Sequence, residues 1–275
     1  MPELPEVETI VRDLRPLLIE RHFTHLTLSD QALRQPWQPE WSAQVLGGAI
    51  QSIRRRGKWM ILNLASGRRL VVHLGMTGQL TVTSSALPLE DHTHLVFTLD
   101  GGLEQLRYRD IRRFGGITLY ADEATTEAFL NDTLGPEPFD LNPATFQHGV
   151  QATARCLKAV LLDQHIVAGV GNIYADESLH TACLHPSQLG RATTSAECVR
   201  LQSAIVEVLT RAIERRGSSI RNYVGGSGLR GGYQEEFRAY GRTGQPCPRC
   251  DTAIEVVRLA GRSSHYCPRC QRTAS

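Results

Sequence analysis

Apolar side chains recur at Leu4, Val7, Ile10, Val11, Leu14 and Leu18, the spacing of one helical face, and Pro5 falls in the first turn, where a missing N–H costs nothing. From about Phe23 to Tyr120 the pattern shortens. Residues 25–29, 58–64, 69–74, 79–83, 95–99, 104–109 and 117–120 alternate or run apolar between turn residues, which predicts strands of a sandwich or barrel. The proline-rich stretch from Leu134 to Pro143 reads as a linker. Beyond it the period becomes helical, with helices expected over 154–162 and 172–182 around a glycine turn. A third is signed by Thr194 and Glu197 as a capping box, carries an apolar stripe from Leu201 to Ile213, and is closed by Gly217. Residues 217–234 are rich in glycine, serine and arginine, the composition of a loop that orders on a ligand. The expected organisation is an N-terminal domain over 1–133, a linker over 134–145, a helical domain over 146–235 and a small module over 236–275.

Composition narrows the class without naming a function. With 41% hydrophobic and 21% charged residues the chain is neither disordered nor fibrous. No apolar run approaches the roughly 18–20 residues that cross a bilayer, and Glu3, Glu6 and Glu8 stand where a signal peptide is positive, so a cytoplasmic protein away from membranes is expected. The net charge of +2 is too small to require a polyanionic partner, but the residues from Arg242 onward are distinctly basic. Lys58 and Lys158 are the only lysines in an arginine-rich chain, which enriches them for positions needing a compact ammonium.

Cys247-Pro-Arg-Cys250 and Cys267-Pro-Arg-Cys270 have the spacing of a four-thiolate zinc site, two tight turns joined by a hairpin over 254–259 and 263–266. Such a ribbon is too small to bury a core, so one structural zinc would supply its folding energy. A pair of disulfides is the alternative. Cys156, Cys183 and Cys198 lack that spacing and read as buried small side chains. Gly169-Val-Gly-Asn172, with Asn172 as cap, would expose backbone donors at a helix start, an anion site, although a plain turn between helices has the same composition. Removal of Met1 would leave Pro2 as a terminal secondary amine, which attacks a sugar C1′ to give an iminium directly; Glu3 and Glu6 stand beside it as acid and orienting group.

Taken together, Met1-Pro-Glu-Leu-Pro-Glu-Val-Glu-Thr9, His73-Leu-Gly-Met-Thr-Gly78, Asp110-Ile-Arg-Arg-Phe-Gly115, Val170-Gly-Asn-Ile-Tyr-Ala-Asp-Glu-Ser178, Tyr240-Gly-Arg242 and the four cysteines closely resemble the formamidopyrimidine-DNA glycosylases. The resemblance implies an α+β multidomain fold: an N-terminal β-sandwich with an N-terminal helix, a helix–two-turn–helix domain and a C-terminal zinc ribbon. It implies a monomeric base-excision-repair glycosylase and AP lyase. Such an enzyme takes oxidised purines (8-oxoguanine, formamidopyrimidines) from double-stranded DNA through a proline Schiff base and β,δ-elimination. On that pattern Pro2 is the nucleophile, Glu3 the acid that opens the sugar, Glu6 its support, and Lys58 a phosphate contact that assists the site. Met76, Arg112 and Phe114 fill the space a flipped nucleotide leaves, and His73, Lys158, Asn172, Arg221 and Arg262 complete the DNA contacts. Two places differ from the family pattern: Ile111 where proline is common, and Ser218-Ser219 where threonines are usual.

The nearest rival is endonuclease VIII, which shares scaffold and Pro2 chemistry but acts on oxidised pyrimidines; Leu4, Val7, Arg112 and Phe114 favour the purine enzyme. A rival of another class is a non-catalytic zinc protein that binds damaged or bent DNA.

Overall fold

The first helix forms as α1 (Leu4–Leu18) in the computed structural model, which describes residues 1–219 and 231–272. Its apolar face is fully used, Val7, Val11, Leu14 and Leu18 all being 0% exposed. Around it run β1 (Phe23–Leu28), α2 (Pro39–Val45), β2 (Ile50–Arg56), β3 (Trp59–Leu64), β4 (Arg69–His73), β5 (Gly78–Ser84), β6 (Thr93–Leu99), β7 (Glu104–Asp110), β8 (Gly116–Tyr120) and α3 (Glu123–Thr133). The strands make two antiparallel sheets, ordered β1-β6-β7-β5 and β2-β3-β4-β8. Inward residues of both, among them Phe97, Leu106 and Tyr108 from one and Met60, Leu62 and Val72 from the other, join α1 in a single core. This is the expected sandwich, since alternation along each strand leaves one face to bury and one to solvate.

The sequence pattern misses β2, whose Arg54-Arg55-Arg56 reads as a basic knot. Ile50 and Ile53 anchor the strand in the core, while Arg54 pairs with Glu127 and Arg55 Nε donates to Glu8 at 3.1 Å. Helices α2 and α3 are also absent from the expectation. Leu130 is the only large apolar side chain that α3 buries, too little to print a period on the sequence.

The remaining helices are α4 (Pro143–Gln151), α5 (Leu157–Leu162), α6 (Asn172–Ala182) and α7 (Ser195–Glu214), followed by the hairpin β9 (Glu255–Leu259) and β10 (Arg262–Tyr266). The capping box of α7 is present: Thr194 N–H donates to Glu197 Oε2 at 2.8 Å and Glu197 N–H to Thr194 Oγ1 at 3.3 Å. The expected linker proves to be structure. Leu134 and Leu141 are 5% and 6% exposed, and Asn142 Oδ1 caps α4 by accepting from the amides of Ala144 and Thr145 at 3.0 and 3.1 Å. The helix expected from residue 154 starts at Leu157, behind Cys156 as its cap.

The chain divides into two compact units. One contains residues 1–132 and, returning after α7, residues 216–219 and 231–232; the other contains 133–215 and the described residues from Tyr233 on. Helical segment and ribbon thus share a unit, and the start of the segment expected as a ligand-ordered loop belongs with the sandwich. Among the described residues no helix is long and apolar enough to cross a membrane.

Candidate functional site

In the sandwich unit, the chain start is held at the head of α1. Pro2 is buried beside half-exposed Met1, and Glu3 and Glu6 are each 2% exposed. Glu3 N–H donates to Glu6 Oε2 at 2.8 Å. The other oxygen of Glu6 accepts from Ser218 N–H at 2.7 Å and from its hydroxyl at 3.1 Å. Gly217 makes this approach possible: its φ is +72° and a Cβ there would lie 2.8 Å from Glu6 Oε1. Glu6 therefore fastens the first residues of the chain to the segment that follows α7, and Ser218 supplies both donors.

Lys58, at the β2–β3 turn, is 7% exposed. Its charge is felt by His73 at the end of β4, whose pKa is brought down to about 4, first by burial and then by the Lys58 ammonium, against the opposing pull of Asp110. The His73 ring lies 4.5 Å from Trp59 and its Nδ1 accepts from Gly75 N–H at 3.2 Å, so it is a neutral, fixed ring. Next to it, Met76 is half-buried, while Arg112 is exposed with its guanidinium 4.6 Å from the centroid of Phe114, itself 46% exposed. An apolar ring and a cation stacked at the surface are what a wedge for an opened base stack requires.

In the helical unit, Asn172 is the first residue of α6 and not its cap; Gly171 caps, in extended backbone. The fourteen-residue reach back to Lys158 corrects the sequence expectation for that lysine. Lys158 is 0% exposed, and its ammonium donates to Asp176 Oδ1 at 2.5 Å and to the Asn172 carbonyl at 2.9 Å. Asp176 Oδ2 in turn accepts from the His265 backbone N–H and lies against His265 Nδ1, both at 2.9 Å. A side chain so enclosed offers no surface to DNA; Lys158 is a buried tie between α5, the α6 start and β10. Arg262 is exposed as the first residue of β10, directly after Ala260 and Gly261, whose φ of +48° and +71° form the hairpin turn. Arg221 lies outside the described residues.

Asp176 and Glu177 were not singled out by sequence reasoning. Glu177 is 0% exposed and accepts the backbone N–H groups of Arg238, Ala239 and Tyr240 at 2.8–2.9 Å, anchoring the Tyr240-Gly-Arg242 motif. The available signal is that two adjacent acids fall on a helix that also carries Ile173, Tyr174, Ala175 and Leu179, where unpaired charge is costly.

The ligand atoms of Cys247, Cys250, Cys267 and Cys270 all lie within 4.8 Å of one another. Three of the sulfur separations are 4.0, 3.5 and 3.4 Å, near the edge of about 3.8 Å that a tetrahedron with zinc–sulfur bonds of about 2.3 Å demands. They are far from the ~2.05 Å of a disulfide, and all seven cysteines are free. Cys247, Ile254 and Cys267 are the buried members of the ribbon core, too few to hold it without a metal. This is a structural site for one zinc. His180 on α6 contacts it, Nε2 lying 3.4 Å from Cys247 Sγ. Of the other cysteines only Cys198 is buried; half-buried Cys156 and Cys183 cap α5 and α6.

Residues 1–117, 134–224 and 244–273 match, respectively, the formamidopyrimidine-DNA glycosylase N-terminal domain, the formamidopyrimidine-DNA glycosylase H2TH domain and the zinc finger found in FPG and IleRS. The formamidopyrimidine-DNA glycosylase of Moorella thermoacetica is 46% identical over 94% of this chain and 95% of its own, and that of Desulforamulus reducens is 42% identical over the same shares. The chain belongs to the formamidopyrimidine-DNA glycosylase family. Solved structures agree: a Lactococcus lactis Fpg variant in complex with a Fapy-dG containing DNA matches with a TM-score of 0.92 at 34% identity, covering 99% of this chain and 100% of that one. The Lactococcus lactis Fpg with an abasic site containing DNA matches with a TM-score of 0.91 at the same identity, covering 98% and 100%. The N-terminal match of the glycosylase family ends just past the Asp110–Gly115 turn, so Pro2, Glu3, Glu6, Lys58, His73, Met76, Arg112 and Phe114 all fall within it.

Proposed function

We propose that this chain is a base-excision-repair DNA glycosylase and AP lyase that removes oxidised purines from double-stranded DNA, working on the nucleoid in the cytoplasm. The carrying observation is the buried Pro2-Glu3 start, held by Glu6 in a chain of this family. Met1 removal exposes the Pro2 nitrogen. A terminal amine has an ordinary pKa near 8, so part of it is unprotonated at neutral pH. Its lone pair forms a bond to C1′ of the damaged nucleotide while the C1′–base bond breaks and the base leaves with a proton. Glu3 protonates the sugar ring oxygen as the ring opens, giving an iminium. That cation accepts the electron pair left when a C2′ proton departs, and the 3′ phosphate is expelled; a second elimination expels the 5′ phosphate. Glu6, occupied by Glu3 N–H and by Ser218, is the support.

Lys58, Asn172 and Arg262 are assigned to phosphate, His73 and Arg221 to further DNA contacts, and Met76, Arg112 and Phe114 to the wedge. Zinc, when bound, only fixes the ribbon that carries Arg262, since four thiolates leave no open coordination position.

Borohydride trapping with an 8-oxoguanine:C duplex tests the reading. The expected result is a covalent adduct that peptide mass spectrometry places on Pro2, and that is lost when an extra residue precedes Pro2. Tight binding without an adduct would leave the non-catalytic DNA binder, and a strong preference for thymine glycol over 8-oxoguanine would move the chain to the pyrimidine enzymes.

A further inference from the structure

The two loops that carry the wedge residues meet at one buried carboxylate. Asp110, the last residue of β7, is 0% exposed. Its Oδ1 accepts from the Thr77 hydroxyl at 2.5 Å and from Arg112 N–H at 3.2 Å, and its Oδ2 accepts from Gly115 N–H at 2.9 Å. The Thr77 oxygen also accepts from Arg112 N–H, at 3.0 Å. The Asp110 carbonyl accepts from Arg113 N–H at 3.3 Å and contacts His94 Nε2 at 3.0 Å. One loop supplies Met76-Thr77; the other supplies Arg112 to Gly115. Their backbones touch, for a Cβ on Gly75 would lie 2.5 Å from Gly115 N, and Gly75 and Arg113 both adopt φ of +57°. The strand register that pairs Gly78 with Asp110 and His73 with Gly116 brings both loops to the same corner of the sandwich unit.

We infer that Asp110 is the positioning residue that makes Met76, Arg112 and Phe114 a single preorganised wedge. This rests on the glycosylase reading above. A carboxylate suits the place because it is an acceptor at both oxygens and takes donors from three residues; an amide of the same shape accepts at only one and turns an N–H toward a donor. With the backbones fixed, the half-exposed side chains enter a base stack without first being ordered, and the ordering cost is already met in the free protein.

Asp110→Asn is the test, with Thr77→Val as the milder variant that removes one tie and keeps the charge. Melting curves establish that each variant is folded. Stopped-flow fluorescence of 2-aminopurine beside an 8-oxoguanine:C pair reports unstacking, and single-turnover excision follows on the same duplex. Borohydride trapping at an abasic site facing a gap reports Pro2 chemistry where no stack has to be opened. Unstacking and excision are expected to fall about tenfold or more in Asp110→Asn and by a smaller factor in Thr77→Val, with trapping at the gapped site within about threefold of the parent protein. Unchanged unstacking in whichever variant is folded, or trapping that falls as far as excision, overturns the positioning role. Absence of trapping in the parent protein overturns the glycosylase reading instead.

Discussion

His73 carries an imidazole, the side chain that ordinarily titrates near neutrality, yet its surroundings keep it uncharged. Burial and the neighbouring Lys58 bring its pKa from the usual 6.5 to about 4. Well above pH 6.5 the ring is neutral folded or unfolded and contributes nothing to pH dependence. Between 6.5 and about 4 the unfolded chain takes up a proton that the folded one refuses, so the sandwich unit loses stability as pH falls through that window. Ring resonances followed by NMR are expected to show His73 titrating close to pH 4, and the urea midpoint of the parent protein to drop further between pH 7 and 5 than that of His73→Gln. A ring titrating near 6.5 would contradict the description of His73 as an enclosed neutral group.

At the scale of elements, the tie among α5, α6 and β10 separates two lysine and arginine roles that look alike in sequence. Lys158→Met leaves Asp176 buried with half its partners, a change of the kind that costs about 3–5 kcal/mol, and urea unfolding of the helical unit should show it. Arg262→Ala, at an exposed turn, should leave that unfolding within about 0.5 kcal/mol and lower the slope of log K against log salt for duplex binding by about one. Reversed outcomes would return Lys158 to the DNA contacts and remove Arg262 from them. The sequence made legible whatever rests on a period or a spacing. α1 and α7 each bury one apolar face, most strands alternate, and the two CxxC turns predict thiols that do converge. It hid β2, because three consecutive arginines mask a strand held by Ile50 and Ile53, and it made a linker of 134–143, because prolines that begin α4 look like those that end structure. Lys158 stands out in the sequence as one of two lysines, but its depth depends on Asp176 and His265, partners that only the fold brings to it.

For the molecule as a whole, the zinc site sets how the second unit holds together. Cys267 N–H donates to Gln271 Oε1 and Gln271 Nε2 to the Leu184 carbonyl, both at 2.8 Å, so the knuckle is tied to the end of α6. Removing zinc with a chelator is expected to abolish amide protection over 244–272 and duplex binding, while the amides of the β-sandwich remain protected; hydrogen exchange read by mass spectrometry distinguishes this from general unfolding. Equal loss in both units would mean that the metal supports more than the ribbon. The return of the chain to its first unit after α7 has a consequence during synthesis. The sandwich strands are complete when a ribosome has passed residue 120, but the donors that clasp Glu6 arrive with Ser218, close to one hundred codons later. A polypeptide abandoned in between emerges with a full set of β-strands and an unfastened beginning, so a broken message yields a protein fragment in which the opening residues have yet to be locked down.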